Sequence, residues 1–167
     1  LEEKINRLAK YYQRYLFRHS FWRGECTISQ DGARVFLFRK MKGAWHLLDA
    51  REEGLLRIER FYPEGAPAAW YKYEPMTHRL NWQVVDAAGN QRLVLRSHFE
   101  SLFFKLPDEP EYEVETNGFE GEGSKVISIT QHRGHSETEV TLGSSIPVWE
   151  GLTIAFASSK LRPSYGD

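Results

Sequence analysis

The sequence predicts a mainly β protein: a closed antiparallel barrel of about twelve strands around a buried, hydrophobic C-terminal helix, with an amphipathic N-terminal helix outside. Three observations predict it. From Phe21 onward, short alternating segments are separated by turns rich in Gly, Asp and Asn, the pattern of consecutive hairpins. The aromatic content is 14%, which suits a β-rich interior. The stretch Ser144 to Leu161 (SSIPVWEGLTIAFASSKL) is apolar on every side when wound as a helix. A barrel of about a dozen strands has a lumen too wide to fill with its own side chains, and this stretch is the natural filling.

Residues 1–20 read as the outer helix, and residues 21–167 as the single barrel domain. Leu1, Ile5, Leu8, Tyr12, Tyr15 and Leu16 follow helical spacing, and neither Gly nor Pro interrupts them. Glu2 and Glu3 fall in the first turn, Arg18 and His19 in the last, as the helix dipole prefers. Lys4, Arg7, Lys10 and Arg14 fill the opposite face, so the helix is suited to an acidic membrane or to a partner protein. A second reading packs its apolar stripe against the barrel or makes it a linker.

The strands follow in pairs. Glu25 to Gln30 and Ala33 to Lys40 flank Asp31-Gly32, and Trp45 to Leu48 and Leu55 to Tyr62 flank DAREEG. Arg79 to Val85 and Gln91 to His98 flank DAAGN, and Tyr112 to Glu115 is joined to Lys125 to Thr130 by a Gly-rich loop. Trp70 to Tyr73, Leu102 to Leu106 and Glu137 to Leu142 complete the set. HLLDAREEGLLRIER (46–60) and WQVVDAAGNQRLVLRS (82–97) resemble one another. In each, the Asp side chain can cap the turn while Gly supplies a positive φ.

The C-terminal stretch carries one charge, Glu150, between Ser145 and Ser159. Ser144 or Ser145 is the expected N-cap, with Pro147 in the first turn. Gly151, Ala155 and Ser159 make a strip that close-packed neighbours can approach. The apolar run is about a dozen residues, short of the roughly 20 a bilayer requires. Because Leu152 to Phe156 also alternates, a last strand is the alternative.

Bulk properties bound the function. The 167 residues are 41% hydrophobic and 27% charged, ordinary for one soluble globular domain, and the net charge of −1 points to no nucleic-acid partner. The distribution is uneven. Residues 1–106 hold 18 Lys+Arg against 12 Asp+Glu, a net +6, and residues 107–167 hold 4 against 11, a net −7. Cys26 stands alone, so no disulfide framework or Cys-based metal site is expected, and a reducing, cytoplasmic location follows. No signal peptide is visible, and a chain starting at Leu1 without Met is expected to be trimmed.

Candidate chemistry is sparse. His132-x-x-His135 with Glu137 and Glu139 has the residue types of a zinc site, but Arg133-Gly134 reads as a hairpin turn. The acidic run from Asp108 to Glu122 lacks calcium-loop spacing and reads as a solvated face. Arg39, Lys40 and Lys42, with Trp45 beside them, form a basic and aromatic hairpin end of the kind that meets an anionic bilayer. No nucleotide-binding, hydrolase or zinc-protease motif is present, so neither an enzyme nor a cofactor is expected.

The terminal SETEVTLGSSIPVWEGLTIAFASS (136–159) is a strand, a Ser/Pro helix start and an apolar helix ending in small residues. Together with the repeated HLLDAREEG and WQVVDAAGN units, it resembles the tubby C-terminal-like superfamily, in its phospholipid scramblase and LURP-one-related branch. That resemblance covers roughly residues 25–160 by pattern and implies a twelve-stranded barrel around a central helix. The phosphoinositide-binding basic motif of tubby proteins and the cysteine-rich stretch of eukaryotic scramblases have no counterpart here. A lipocalin-like barrel with an open cavity is the competing fold.

The expected function is a non-enzymatic binding module that associates with anionic phospholipid surfaces, peripherally and from the cytoplasm. Its binding residues are expected to be Arg39, Lys40, Lys42 and Trp45, and Lys4, Arg7, Leu8, Lys10, Tyr12 and Arg14 of the helix. The alternative is a protein–protein scaffold that holds its partner through residues 1–20.

Overall fold

Alternation between turn signals gives the described residues twelve strands. The structure, a computed structural model, describes residues 12–20, 23–62, 79–98, 100–132 and 136–161. In order these are β1 (Gln13–Ser20), β2 (Glu25–Gln30), β3 (Ala33–Met41), β4 (Ala44–Asp49), β5 (Gly54–Arg60) and β6 (Arg79–Asp86). There follow β7 (Gln91–His98), β8 (Ser101–Lys105), β9 (Tyr112–Val114), β10 (Gly118–Glu120), β11 (Val126–His132), β12 (Glu137–Leu142) and one helix, α1 (Val148–Lys160). They form one antiparallel sheet in the order β10-β11-β12-β1-β2-β3-β4-β5-β6-β7-β8-β9. The two ends of that order meet at the bridge Glu115↔Gly118, so the sheet curls into a nearly closed barrel. Only glycine fits there. Gly118 has φ +125, and a Cβ would lie 1.9 Å from the carbonyl oxygen of Ile127.

The N-terminal helix is corrected over its second half. Gln13–Ser20 is strand β1, hydrogen-bonded between β12 and β2. Tyr15 and Phe17 point inward at 4% and 0% exposure, while Arg14 and Arg18 are exposed. The helical spacing of Tyr12, Tyr15 and Leu16 competes with this period of two, and the two neighbouring strand edges decide it. The remainder of that stretch, residues 1–11, and the expected strand Trp70 to Tyr73 lie outside the described residues.

The C-terminal expectation holds. Every residue of α1 from Glu150 to Ser158 is buried, as a helix with no polar face requires. Leu152, Ile154 and Phe156 share one continuous core with inward residues from β1 through β12. Phe156 stacks on Phe38 of β3 with ring centroids 4.1 Å apart and meets Trp45 of β4 edge-on at 4.9 Å. The filled lumen removes the open-cavity alternative, and the helix removes the last-strand one. Two details differ from expectation. Pro147 is the N-cap and no side chain caps the helix. Ser144 and Ser145 instead direct their hydroxyls to Ser124, at 3.0 and 2.6 Å. At Gly151 the close neighbours are side chains, since a Cβ would lie 2.9 Å from Ile146 and 3.0 Å from Leu142.

The two similar hairpins share one turn. Asp49 Oδ1 accepts from the N–H of Arg51 and Glu53, and Asp86 Oδ1 accepts from those of Ala88 and Asn90, at 2.9–3.0 Å. The positive φ falls at Glu52 (+63) and Gly89 (+87), the same place in each turn. A register shift follows at Leu47/Leu48 and at Val84/Val85. Two backbone N–H groups thus rest on each carboxylate, and at Asp86 they hold the carboxyl below its ordinary range. Asp49→Ala and Asp86→Ala are each expected to lower the melting temperature by a few degrees, measured by circular dichroism at pH 7. Unchanged melting in both variants would show that the turns form without these caps.

Candidate functional site

The barrel has two ends, and α1 gives them different chemistry. The helix starts at the end carrying the β4–β5 and β6–β7 turns and finishes, at Lys160, at the end carrying the β1–β2 and β3–β4 turns. At this second end Lys42 (φ +52) and Gly43 (φ +79) make a two-residue turn closed by Met41 opposite Ala44. The neighbouring β1–β2 turn is tied to it, because the Lys40 N–H donates to the Gly24 carbonyl at 3.0 Å. Arg23, Lys40 and Lys42 are all exposed on these two joined turns. No carboxylate among the described residues forms an ion pair with any of the three. Just past β5, at the same end, Tyr62 is 48% exposed.

The sequence-predicted residues are dispersed around this rim rather than gathered on it. Arg39 lies on the outer face, where its guanidinium donates to Glu25 at 3.1 Å and to Glu52 at 2.9 Å. The bond to Glu52 is the main cause that raises the Arg39 pKa, and the same bond holds Glu52 low. Trp45 turns inward, half-buried against Phe156. Lys40 and Lys42 remain as expected, exposed at the tip. Arg14 is exposed on the outer face of β1, beside a groove of about 380 Å³ that Arg18, Ser29, Asp31 and Glu139 also line. Tyr12 is half-buried ahead of β1, and Lys4, Arg7, Leu8 and Lys10 lie outside the described residues. Arg23 and Tyr62 were not singled out from sequence. The Arg23-Gly24 pair in a turn was the available signal for the first.

The other end is a cleft of about 510 Å³ whose two cations, Arg92 and Lys125, are both ion-paired. Arg92 donates from Nε to the buried Glu150 at 3.0 Å and has Asp86 at 3.9 Å, while Lys125 pairs with Glu109. A carboxylate 5% exposed needs such a partner, because an isolated buried charge costs several kcal/mol. The acidic run begins in this cleft with Asp108 and Glu109 and continues along the outer face of β9 and β10. There Glu111 pairs with Arg96 at 2.7 Å, and Glu113, Glu115 and Glu120 are exposed. Among the described residues no group of three His, Cys, Asp or Glu is placed to hold a metal ion. His132 sits 3.5 Å from Glu139, and His135 is outside the described residues. No described helix is long and apolar enough to cross a membrane.

No protein-family model matches the chain, and no curated protein matches it. Its fold is similar to that in an X-ray structure of a protein from Arabidopsis thaliana, with a TM-score of 0.58 at 10% sequence identity. The similarity covers 92% of this chain and 93% of the plant protein. At that identity the likeness speaks for the architecture alone.

Proposed function

We propose that this chain is a tubby-like barrel acting as a non-enzymatic binding module, and that it associates with anionic phospholipid surfaces through the rim formed by Arg23, Lys40 and Lys42. One observation carries the reading: two hairpin turns joined by a backbone hydrogen bond present three cations that no carboxylate among the described residues neutralises. Tyr62 at the same end adds the exposed aromatic that suits a headgroup region. Each Lys or Arg near an anionic membrane contributes about 1 kcal/mol, so three give reversible, salt-sensitive attachment rather than permanent anchoring.

The test is co-sedimentation with phosphatidylcholine vesicles, with and without phosphatidylserine, at low and physiological salt. Arg23→Gln, Lys40→Gln and Lys42→Asn combined are expected to weaken binding to the acidic vesicles by roughly a hundredfold. Asn at 42 tolerates the positive φ. Equal binding to neutral and acidic vesicles, or an unaffected triple variant, would remove this reading. The scaffold alternative rests on the stripe Leu1, Ile5, Leu8 and Tyr12, of which the first three lie outside the described residues. It predicts no dependence on lipid charge.

A further inference from the structure

Beneath the rim, on the barrel's inner face, lies a small set of polar groups that the membrane reading does not use. His19 on β1 has the inward parity of Tyr15 and Phe17 and pairs in register with Cys26 on β2. Thr138 on β12 pairs with Phe17, which makes it the diagonal neighbour of His19 on that face. His19 Nδ1 and Thr138 Oγ1 are both buried and find no hydrogen-bond partner among the described residues. A buried polar group left so is costly, and here two lie on adjacent strands.

Among the described residues, the charged groups that share His19's inward side are cations. From α1, Lys160 acts on both His19 and Cys26. From β2 the inward group is the Cys26 thiol, which burial pushes up to about 12 and keeps neutral. The carboxylates on the flanking strands, Glu25 and Glu137, have outward parity and are engaged by Arg39 and Arg18. On β3, Lys40 shares the parity of Phe38 and adds another cation at this end. Among the described residues an imidazolium here gains no internal counter-ion. An anionic surface laid against the rim would supply negative charge on this side.

We propose that His19 is a proton-operated latch, neutral while the barrel end is free and protonated when the rim rests on an anionic membrane, so that acidification tightens membrane binding. The inference rests on the rim being the lipid-facing surface. Its sign follows from linkage. Burial, and then Lys160, lower the His19 pKa to about 4 from an ordinary 6.5. The unfolded chain therefore binds more protons than the free folded one, and the stability of the free protein falls as pH drops from 6.5 toward 4. An anionic surface favours the charged form and raises its proton affinity. By reciprocity, protonation then strengthens binding, by up to about tenfold per pH unit for a single proton.

The experiment measures binding to phosphatidylserine-containing vesicles at pH 7.5 and 5.0 for the protein and for His19→Gln. Alongside, the His19 ring proton shifts are titrated by NMR with and without acidic nanodiscs. Equal binding of the two proteins at pH 7.5 is expected, with the unaltered protein gaining several-fold more than the variant at pH 5.0. The His19 titration is expected to move upward on the nanodisc, a reading that needs no variant. Acidic binding that steepens equally in His19→Gln, or an unmoved titration, overturns the latch while leaving the rim reading intact. Absence of acidic-lipid binding at every pH overturns the rim reading and the latch with it.

Discussion

Phe156→Asp is expected to leave no folded protein, and Phe156→Ala to cost about 3–5 kcal/mol of stability. The ring is fully buried, stacked on Phe38 at 4.1 Å and capped edge-on by Trp45 at 4.9 Å. These three rings come from α1, β3 and β4, so one truncation loosens the helix from two strands at once. An unpaired carboxylate in the same place adds several kcal/mol of desolvation, against a total stability of about 5–15 kcal/mol for a domain. Trp149→Asp is the control, since Trp149 belongs to the same helix but is 41% exposed. Urea denaturation followed by fluorescence measures both. A Phe156→Ala variant within about 1 kcal/mol of the parent would mean that the helix is an appendage rather than the core.

The helix was legible because its signal is the absence of a polar face, which needs no knowledge of what surrounds it. Three strands were legible to the residue: Glu25–Gln30, Gln91–His98 and Glu137–Leu142 each alternate between residues that favour turns. Gly118–Glu120 was not, because three residues are too few to display a period. Gln13–Ser20 was misread for a different reason. Its Tyr15, Leu16 and preceding Leu8 and Tyr12 satisfy a helical stripe, while Tyr15, Phe17 and His19 satisfy a strand face. The docking of β1 between β2 and β12, the latter more than a hundred residues away in sequence, selects the second. Local pattern contains no trace of that pairing.

The site divides along the same line. A period of two sends consecutive residues to opposite faces, so Arg39 and Lys40 were bound to diverge once Phe38 was committed to the lumen. What the sequence lacked was the identity of the carboxylates waiting on the outer face. Glu25 and Glu52 reach Arg39 from fourteen residues before it and thirteen after. The same non-local packing brings Gly24 to Lys40 and so places Arg23 on the rim. Cation content was visible; which cations stay unneutralised was set by cross-strand register.

Removing residues 1–20 is expected to abolish the folded barrel, the opposite of what a dispensable outer helix would give. β1 is in register with β12 at six positions and with β2 at five, so its loss breaks both ladders and leaves β2 and β12 as new edges. It also takes away the buried rings of Tyr15 and Phe17, each contributing about 1.5–3 kcal/mol of apolar burial. Two such rings, with the hydrogen bonds of two ladders, are comparable with the whole stability of a domain. The long exposed edges left behind favour aggregation. A pair of point variants separates the strand from the helix without truncation. Phe17→Asp should unfold the protein, whereas Arg14→Asp, three residues earlier on the exposed face, should leave its melting within a few degrees. Size-exclusion chromatography and thermal melting read the result. A truncated chain that elutes as a compact monomer and melts cooperatively would show that β1 is not needed to close the barrel.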